Sequence, residues 1–290
     1  MKMYDALRLA AGWVLPPNVE RALTRSAERV FTRSLAANKA LRNRHADKQR
    51  CFVIGSGPSL KTQDLSRLAN EYTIAANSFY KHPDAGKVGL NYLCIGDPHF
   101  MSAEPRALDW HRTIEKALPS TTMVLNRVAQ PIVEEHGLYP NQEVFYVEGS
   151  MVPATKASEC ALDFTRRLNV GTSTGTLVMI PLAIYLGFKE IFLLGFDANW
   201  LENLEKSYHF YDSHEHFPEF DSVAADTRGF SYEGELDTVS REFKAHRLLA
   251  ERSRQLGVKI WNATAGGRVD TYPRVRYEDV IARSRTASSM

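Results

Sequence analysis

From residue 51 onward, short apolar runs alternate with longer stretches of mixed polarity. Cys51-Phe52-Val53-Ile54, Tyr72-Thr73-Ile74-Ala75-Ala76, Leu90-Asn91-Tyr92-Leu93-Cys94-Ile95 and Glu190-Ile191-Phe192-Leu193-Leu194 read as buried strands. Thr122-Met123-Val124-Leu125 and Glu143-Val144-Phe145-Tyr146-Val147 are weaker strand patterns, and Val258-Lys259-Ile260-Trp261 is a final one. Helical spacing predicts helices over 154–168, 176–186 and 240–256. Gly187 suits the position after a helix end, while Pro181 implies a kink. This alternation predicts an α/β fold: a mostly parallel, Rossmann-like sheet with helices on both faces.

Residues 1–50 differ in character. Leu7, Leu9, Ala10, Trp13, Val14 and Leu15 form an apolar patch that Pro16-Pro17 ends. A second amphipathic pattern carries Val19, Leu23, Ala27, Val30, Phe31 and Leu35 opposite Arg21, Arg25, Arg29 and Arg33. A basic helical extension over 1–50 therefore precedes the main α/β domain over 51–282 and a tail over 283–290. Residues 1–35 can lie on an anionic inner-membrane surface, or dock on the main domain or a partner subunit.

Composition narrows the classes. The chain of 290 residues is 44% hydrophobic, enough for one large α/β domain. A formal net charge of +2 calls for no nucleic-acid partner. Residues 1–50 hold eleven Lys/Arg against four Asp/Glu, so the remainder is net acidic. Cys51, Cys94 and Cys160 are odd in number and widely spaced, which suits reduced thiols in a cytoplasmic protein. No apolar run is long enough to span a bilayer, and the start lacks a secretory pattern.

Candidate chemistry gathers where the strands end. The first runs into Gly55-Ser56-Gly57-Pro58-Ser59, a turn whose glycines allow close approach of a bound anion and whose proline sets the first helical turn. Ser56, Asn77, Asp97, Asp197 and Asn262 all follow strand carboxyl ends, the edge where open α/β sheets bind ligands. Gly171-Thr172-Ser173-Thr174-Gly175 is a second such turn: its hydroxyls can hold phosphate, or Thr172 or Ser173 can cap the helix. It lacks the lysine of a Walker A loop. Residues 199–238, rich in aromatics and histidine, read as a long lid loop. His209, Asp212, His214 and His216 on it are a poor rigid metal set; a histidine base, or tyrosines on a leaving phosphate, suits them better.

At these residues the chain resembles a known group. Residues 55–60, Asp64-Leu65-Ser66-Arg67-Leu68 and Asn77-Ser78-Phe79-Tyr80 resemble the start of bacterial lipooligosaccharide sialyltransferases, and residues 186–197 resemble their central block. The wider superfamily is similar too, including motility accessory factors and archaeal-type 6-hydroxymethylpterin diphosphokinase-like proteins. Gly171-Thr172-Ser173 and residues 262–267 look closer to the diphosphokinase-like branch. The resemblance covers roughly 51–282. It implies that the turn at Gly55, Ser56, Gly57, Pro58 and Ser59, with Asn77 and Asp97, binds a cytidine nucleotide. Ser56 and Asp97 stand where that family has Asn. Tyr208 matches one of two phosphate-binding lid tyrosines, and the other falls on Asn199. The family's late-lid histidine falls near Glu233-Gly234-Glu235, so Glu235 or a relocated His214 or His216 would serve as base.

The implied reaction is displacement at an anomeric carbon with a nucleotide phosphate leaving. A CMP-activated acidic sugar would be the donor, and a surface-glycan or lipid-linked molecule the acceptor. Hydroxyls and amides at residues 55–59, Thr172, Ser173, Thr174, Gly175 and Tyr208 would neutralise the phosphate without metal. Asp97 and Asp197 beside a phosphate would need a divalent cation between them. The alternative class is an ATP-dependent pyrophosphokinase using Mg²⁺, and a third is a non-catalytic nucleotide-binding protein. The resemblance also implies a homo-oligomer.

Overall fold

A computed structural model describes residues 33–96, 100–150, 153–170, 175–202, 209–211 and 231–287. Seven strands form one sheet: β1 (Arg50–Ile54), β2 (Thr73–Ala76), β3 (Tyr92–Ile95), β4 (Thr122–Asn126), β5 (Val144–Val147), β6 (Glu190–Leu194) and β7 (Lys259–Asn262). Their spatial order is β5-β4-β3-β2-β1-β6-β7, and every pairing is parallel. The α/β class expected from the apolar runs is therefore the fold observed. The chain walks outward from β1 to β5, then returns to lay β6 on the other side of β1. That reversal sets the topological switch between β1 and β6, the position at which open α/β sheets bind ligands.

The inner strands β1, β2, β3 and β6 are buried along nearly all their length because both faces are covered, whereas edge strand β7 alternates, with Lys259 exposed. Cys51 and Val53 join one core cluster, while Phe52 and Ile54, pointing the other way, join a second. The described helices are α1 (Ala85–Val88), α2 (Pro105–Ala117), α3 (Gln130–His136), α4 (Gly175–Tyr185), α5 (Tyr232–Gln255) and α6 (Tyr277–Ala287). Val178, Ile180 and Leu182 of α4, with Leu248 and Leu249 of α5, pack on the first face. Trp110 and Ile114 of α2, with Val280 and Ile281 of α6, pack on the second. Helix α4 runs through Pro181, and Gly187 follows it at φ 100°. Cys51, Cys94 and Cys160 are buried and free, as expected of reduced thiols.

Residues 33–49 lie against this domain. Asn38 donates from Nδ2 to the carbonyls of Tyr146 (2.7 Å) and Phe164 (2.8 Å), and Leu35 and Leu41 are fully buried. Residues 1–32 and 288–290 lie outside the described residues.

Two helix expectations are corrected. Residues 154–168 hold only a 3-10 turn at Ala157–Glu159. Polar side chains there bind the backbone in its place: Asp163 Oδ1 accepts from the Thr165 amide (3.0 Å), and Asn169 Oδ1 accepts from the Ala161 amide (2.8 Å). The helix expected from 240 starts earlier, at Tyr232, with Ser231 Oγ accepting the Gly234 amide at 3.1 Å. The final part of the expected lid, 232–238, is thus helical.

Candidate functional site

Three exit segments meet at the β1–β6 switch. After β1, Gly57 donates its amide to the Gly195 carbonyl (3.0 Å), and Gly55 donates to Leu194 (2.7 Å). After β6, Asp197 reaches back to the β1 exit: its Oδ1 accepts the Ser59 amide (3.1 Å) and its Oδ2 the Ser59 hydroxyl (2.7 Å). This caps the turn at Pro58–Thr62 from another strand. Beyond β7, Arg268 donates its amide to the Asp197 carbonyl (2.6 Å), and the Phe196 amide bonds Thr264 Oγ1 (3.1 Å).

The glycines answer to this packing. A Cβ on Gly57 would lie 1.8 Å from Asp197 Oδ2, and one on Gly267 only 2.7 Å from Asp197 Cα. Gly267 also has φ 76°, so both crowding and backbone hand demand it. Arg274 braces the outer loop, donating to the carbonyls of Gly266 (2.5 Å) and Gly267 (2.8 Å). Burial raises the Asp197 carboxyl above its usual range, while the Ser59 hydrogen bonds and Arg274 pull the other way.

The roles of the expected residues follow. The amides of Gly55, Gly57 and Ser59 and the Ser59 hydroxyl are spent inside the fold, so the turn does not offer a row of open donors. Pro58 opens the 3-10 turn, and Ser56 is half-buried at the rim. Both Asp197 oxygens are held by Ser59, which presents neither to a cation; this half of the Asp97–Asp197 pair does not fit a divalent metal. Asn262 is wholly buried: it holds the Val269 carbonyl (2.7 Å) and the Thr264 amide (3.0 Å), and so shapes the loop. Glu235 sits in the first turn of α5, and Gly175 is the first residue of α4. Asp97, Thr172, Ser173, Thr174, Tyr208, His214 and His216 lie outside the described residues.

Asn77 is different. It follows β2 with φ 52°, a left-handed conformation, and its amide bonds the Cys94 carbonyl (3.1 Å). Its side-chain Oδ1 is buried and among the described residues has no hydrogen-bond partner. Asparagine adopts this left-handed conformation readily, so the notable feature is the orphaned acceptor at a strand exit.

Three supports escaped the pattern reading. Phe210 is buried, donates its amide to the Ser56 carbonyl (2.9 Å), and packs edge-to-face on His82 at 5.2 Å. From α2, Trp110 Nε1 donates to Ser78 Oγ (3.0 Å), directly beside Asn77. His111 Nε2 lies 3.0 Å from the Phe100 carbonyl and Nδ1 2.6 Å from the Tyr139 hydroxyl. The carbonyl fixes the proton on Nε2, and Nδ1 accepts from the tyrosine. Burial lowers the His111 pKa to about 4. Buried polar residues on a helix facing an apolar core were the available signal.

Among the described residues no group of three or more His, Cys, Asp or Glu could hold a metal, and no helix is long and apolar enough to cross a membrane. The fold is an α/β protein whose candidate residues stand at the carboxyl ends of its parallel strands. No protein-family model and no curated protein matches the chain. One similar solved structure is the sialyltransferase CstII from Campylobacter jejuni in complex with a substrate analogue, CMP-3FNeuAc. It is 17% identical over 78% of this chain and 85% of that one, with a TM-score of 0.41, a likeness too slight to carry an argument.

Proposed function

We propose that the protein is a glycosyltransferase that moves an acidic sugar from a CMP-activated donor to a glycan or lipid-linked acceptor. The observation that carries this reading is Asn77, left-handed at the β2 exit with a buried, unpartnered Oδ1. A ligand N–H or O–H there would satisfy an acceptor that the fold leaves open. The motif resemblance over residues 55–60 and 77–80 supports a cytidine nucleotide as that ligand.

In this reaction the acceptor hydroxyl oxygen bonds to the anomeric carbon as the bond from that carbon to the phosphate oxygen breaks. CMP leaves with the electron pair, and the hydroxyl proton passes to a base. Glu235, His214 and His216 are the candidates for that base. Ser56, Thr172, Ser173, Thr174 and Tyr208 are the candidate donors to the leaving phosphate. The Asp197–Ser59 bond keeps that carboxylate off the phosphate, so the reading needs no cation beside it.

Thermal melts with CMP, UMP and ATP, each with and without Mg²⁺, test the proposal. CMP should stabilise the chain without Mg²⁺ and UMP less so. Stabilisation by ATP alone, dependent on Mg²⁺, would replace this reading with the pyrophosphokinase. Release of CMP from a CMP-activated acidic sugar, abolished by loss of the true base among Glu235, His214 and His216, separates an enzyme from a nucleotide-binding protein.

A further inference from the structure

Farther along the same rim, Arg127 leaves β4 and is held at both ends. On the backbone side, Asn126 Oδ1 accepts the Val128 amide (3.1 Å), while its Nδ2 donates to the Gly96 carbonyl at the end of β3 (2.7 Å). At the far end, the guanidinium Nε and Nη2 both reach Glu148, the residue after β5. Glu148 is 1% exposed, and its Oε1 also receives Arg167 Nη2 at 3.0 Å; Arg167 is itself 8% exposed. Arg127 keeps 26% of its side chain exposed, and among the described residues its Nη1 meets no hydrogen-bond partner.

A structural clamp alone does not account for this arrangement. Arg167 already serves the buried carboxylate, beside the Gly149–Leu168 bridge that ties this segment down. Burying ion pairs is in itself weak support for stability. An arginine whose backbone and Nε edge are fixed loses little freedom when its remaining N–H groups bind something. Those groups suit an oxyanion, which accepts two parallel hydrogen bonds from a guanidinium.

We propose that Arg127, oriented by Glu148, receives a carboxylate or phosphate borne by the acceptor sugar, so that the enzyme takes anionic acceptors. This assignment of the acceptor rests on the glycosyltransferase reading, whereas the oxyanion site itself does not.

The test uses the full chain and three probes in calorimetric titrations: 3′-sialyllactose for a carboxylate, glucose 6-phosphate for a phosphate, and lactose as the neutral control. At least one anionic sugar should bind and lactose should not; whichever binds identifies the oxyanion. Arg127→Gln should weaken that binding at least about tenfold, with Arg127→Lys in between. CMP affinity should stay near that of the parent protein in both variants, and Arg127→Gln should melt somewhat lower while staying folded, because Glu148 loses one of its two arginines. Equal binding of lactose, no binding of either anionic sugar, or unchanged affinity in a folded Arg127→Gln variant would overturn the site. If CMP fails to bind while the anionic sugar still depends on Arg127, the glycosyltransferase reading falls and the oxyanion site stands.

Discussion

Ser59 gives both its amide and its hydroxyl to the carboxylate of Asp197, a residue 138 positions later in the chain. One buried side chain thereby latches the exits of the two strands that flank the topological switch. Charge-assisted hydrogen bonds of this kind are each worth about 1.5–3 kcal/mol. The rim at the β1 and β6 exits owes its shape to that contact.

Gly57→Ala should break the latch. The added methyl would lie 1.8 Å from Asp197 Oδ2 and 2.7 Å from the Gly195 carbonyl oxygen, so the carboxylate must leave Ser59 and the backbone after β6 must also give. A loss on the order of 3 kcal/mol is expected from overpacking plus the broken hydrogen bonds. Urea denaturation measures it; an unchanged midpoint would show that the rim is more pliant than this contact implies.

Asn77→Gly should separate stability from binding. Glycine accepts φ 52° without strain and removes the orphaned Oδ1, so the ligand-free protein should gain about 1 kcal/mol. The same change should cost CMP binding about tenfold, because the acceptor is gone. Melting curves with and without CMP read both effects; a variant that loses stability and keeps CMP would remove Asn77 from the site.

Acid should loosen the loop that follows β3. His111 is buried and neutral, with its pKa lowered from 6.5 to about 4. Between those values the unfolded chain binds the proton more readily than the folded one, so stability falls as pH drops through that window. The shift corresponds to roughly 3 kcal/mol. His111→Gln, which can keep a donor for the Phe100 carbonyl, should flatten that part of the pH–stability curve.

Glu242 works in the opposite sense. It is buried on α5, with its carboxyl pushed up from 4.5 to about 7 by burial alone. The folded state holds that proton more tightly, so stability falls as pH rises from 4.5 towards 7. His246 Nε2 lies 3.9 Å from the carboxyl, too far for a hydrogen bond to offset the burial. Glu242→Gln should be more stable than the parent at pH 8 and indistinguishable at pH 4; a loss at pH 8 would show that the ionised carboxylate is held by a partner.

Strands were easier to read than helices, for a physical reason. A parallel sheet covered on both faces turns each strand into an unbroken apolar run, and β1, β2, β3 and β6 announce themselves in this way. Helix α2 was missed for another reason: its buried stripe of Ala107, Trp110, His111 and Ile114 is at helical spacing but narrow, and one of its four members is a histidine. Residues 154–168 show the reverse error: their apolar spacing is helical, but Asp163 and Asn169 hold the backbone otherwise. At the site, the positions of Ser56, Asn77, Asp197 and Asn262 at strand exits were legible. Their duties were not. Whether a carboxylate meets a ligand or a distant serine depends on which segments the topology brings together, and Asp197 met Ser59.

The brace supplied by Arg274 bears on how the molecule is made. It grips the loop after β7, whose Gly267 presses on the Asp197 backbone, which in turn latches the turn after β1. A growing polypeptide emerging from the ribosome can pair its early strands long before Arg274 is synthesised. The rim must wait until Arg274 has emerged, so a product stopped before that residue would lack the brace behind the Asp197 latch.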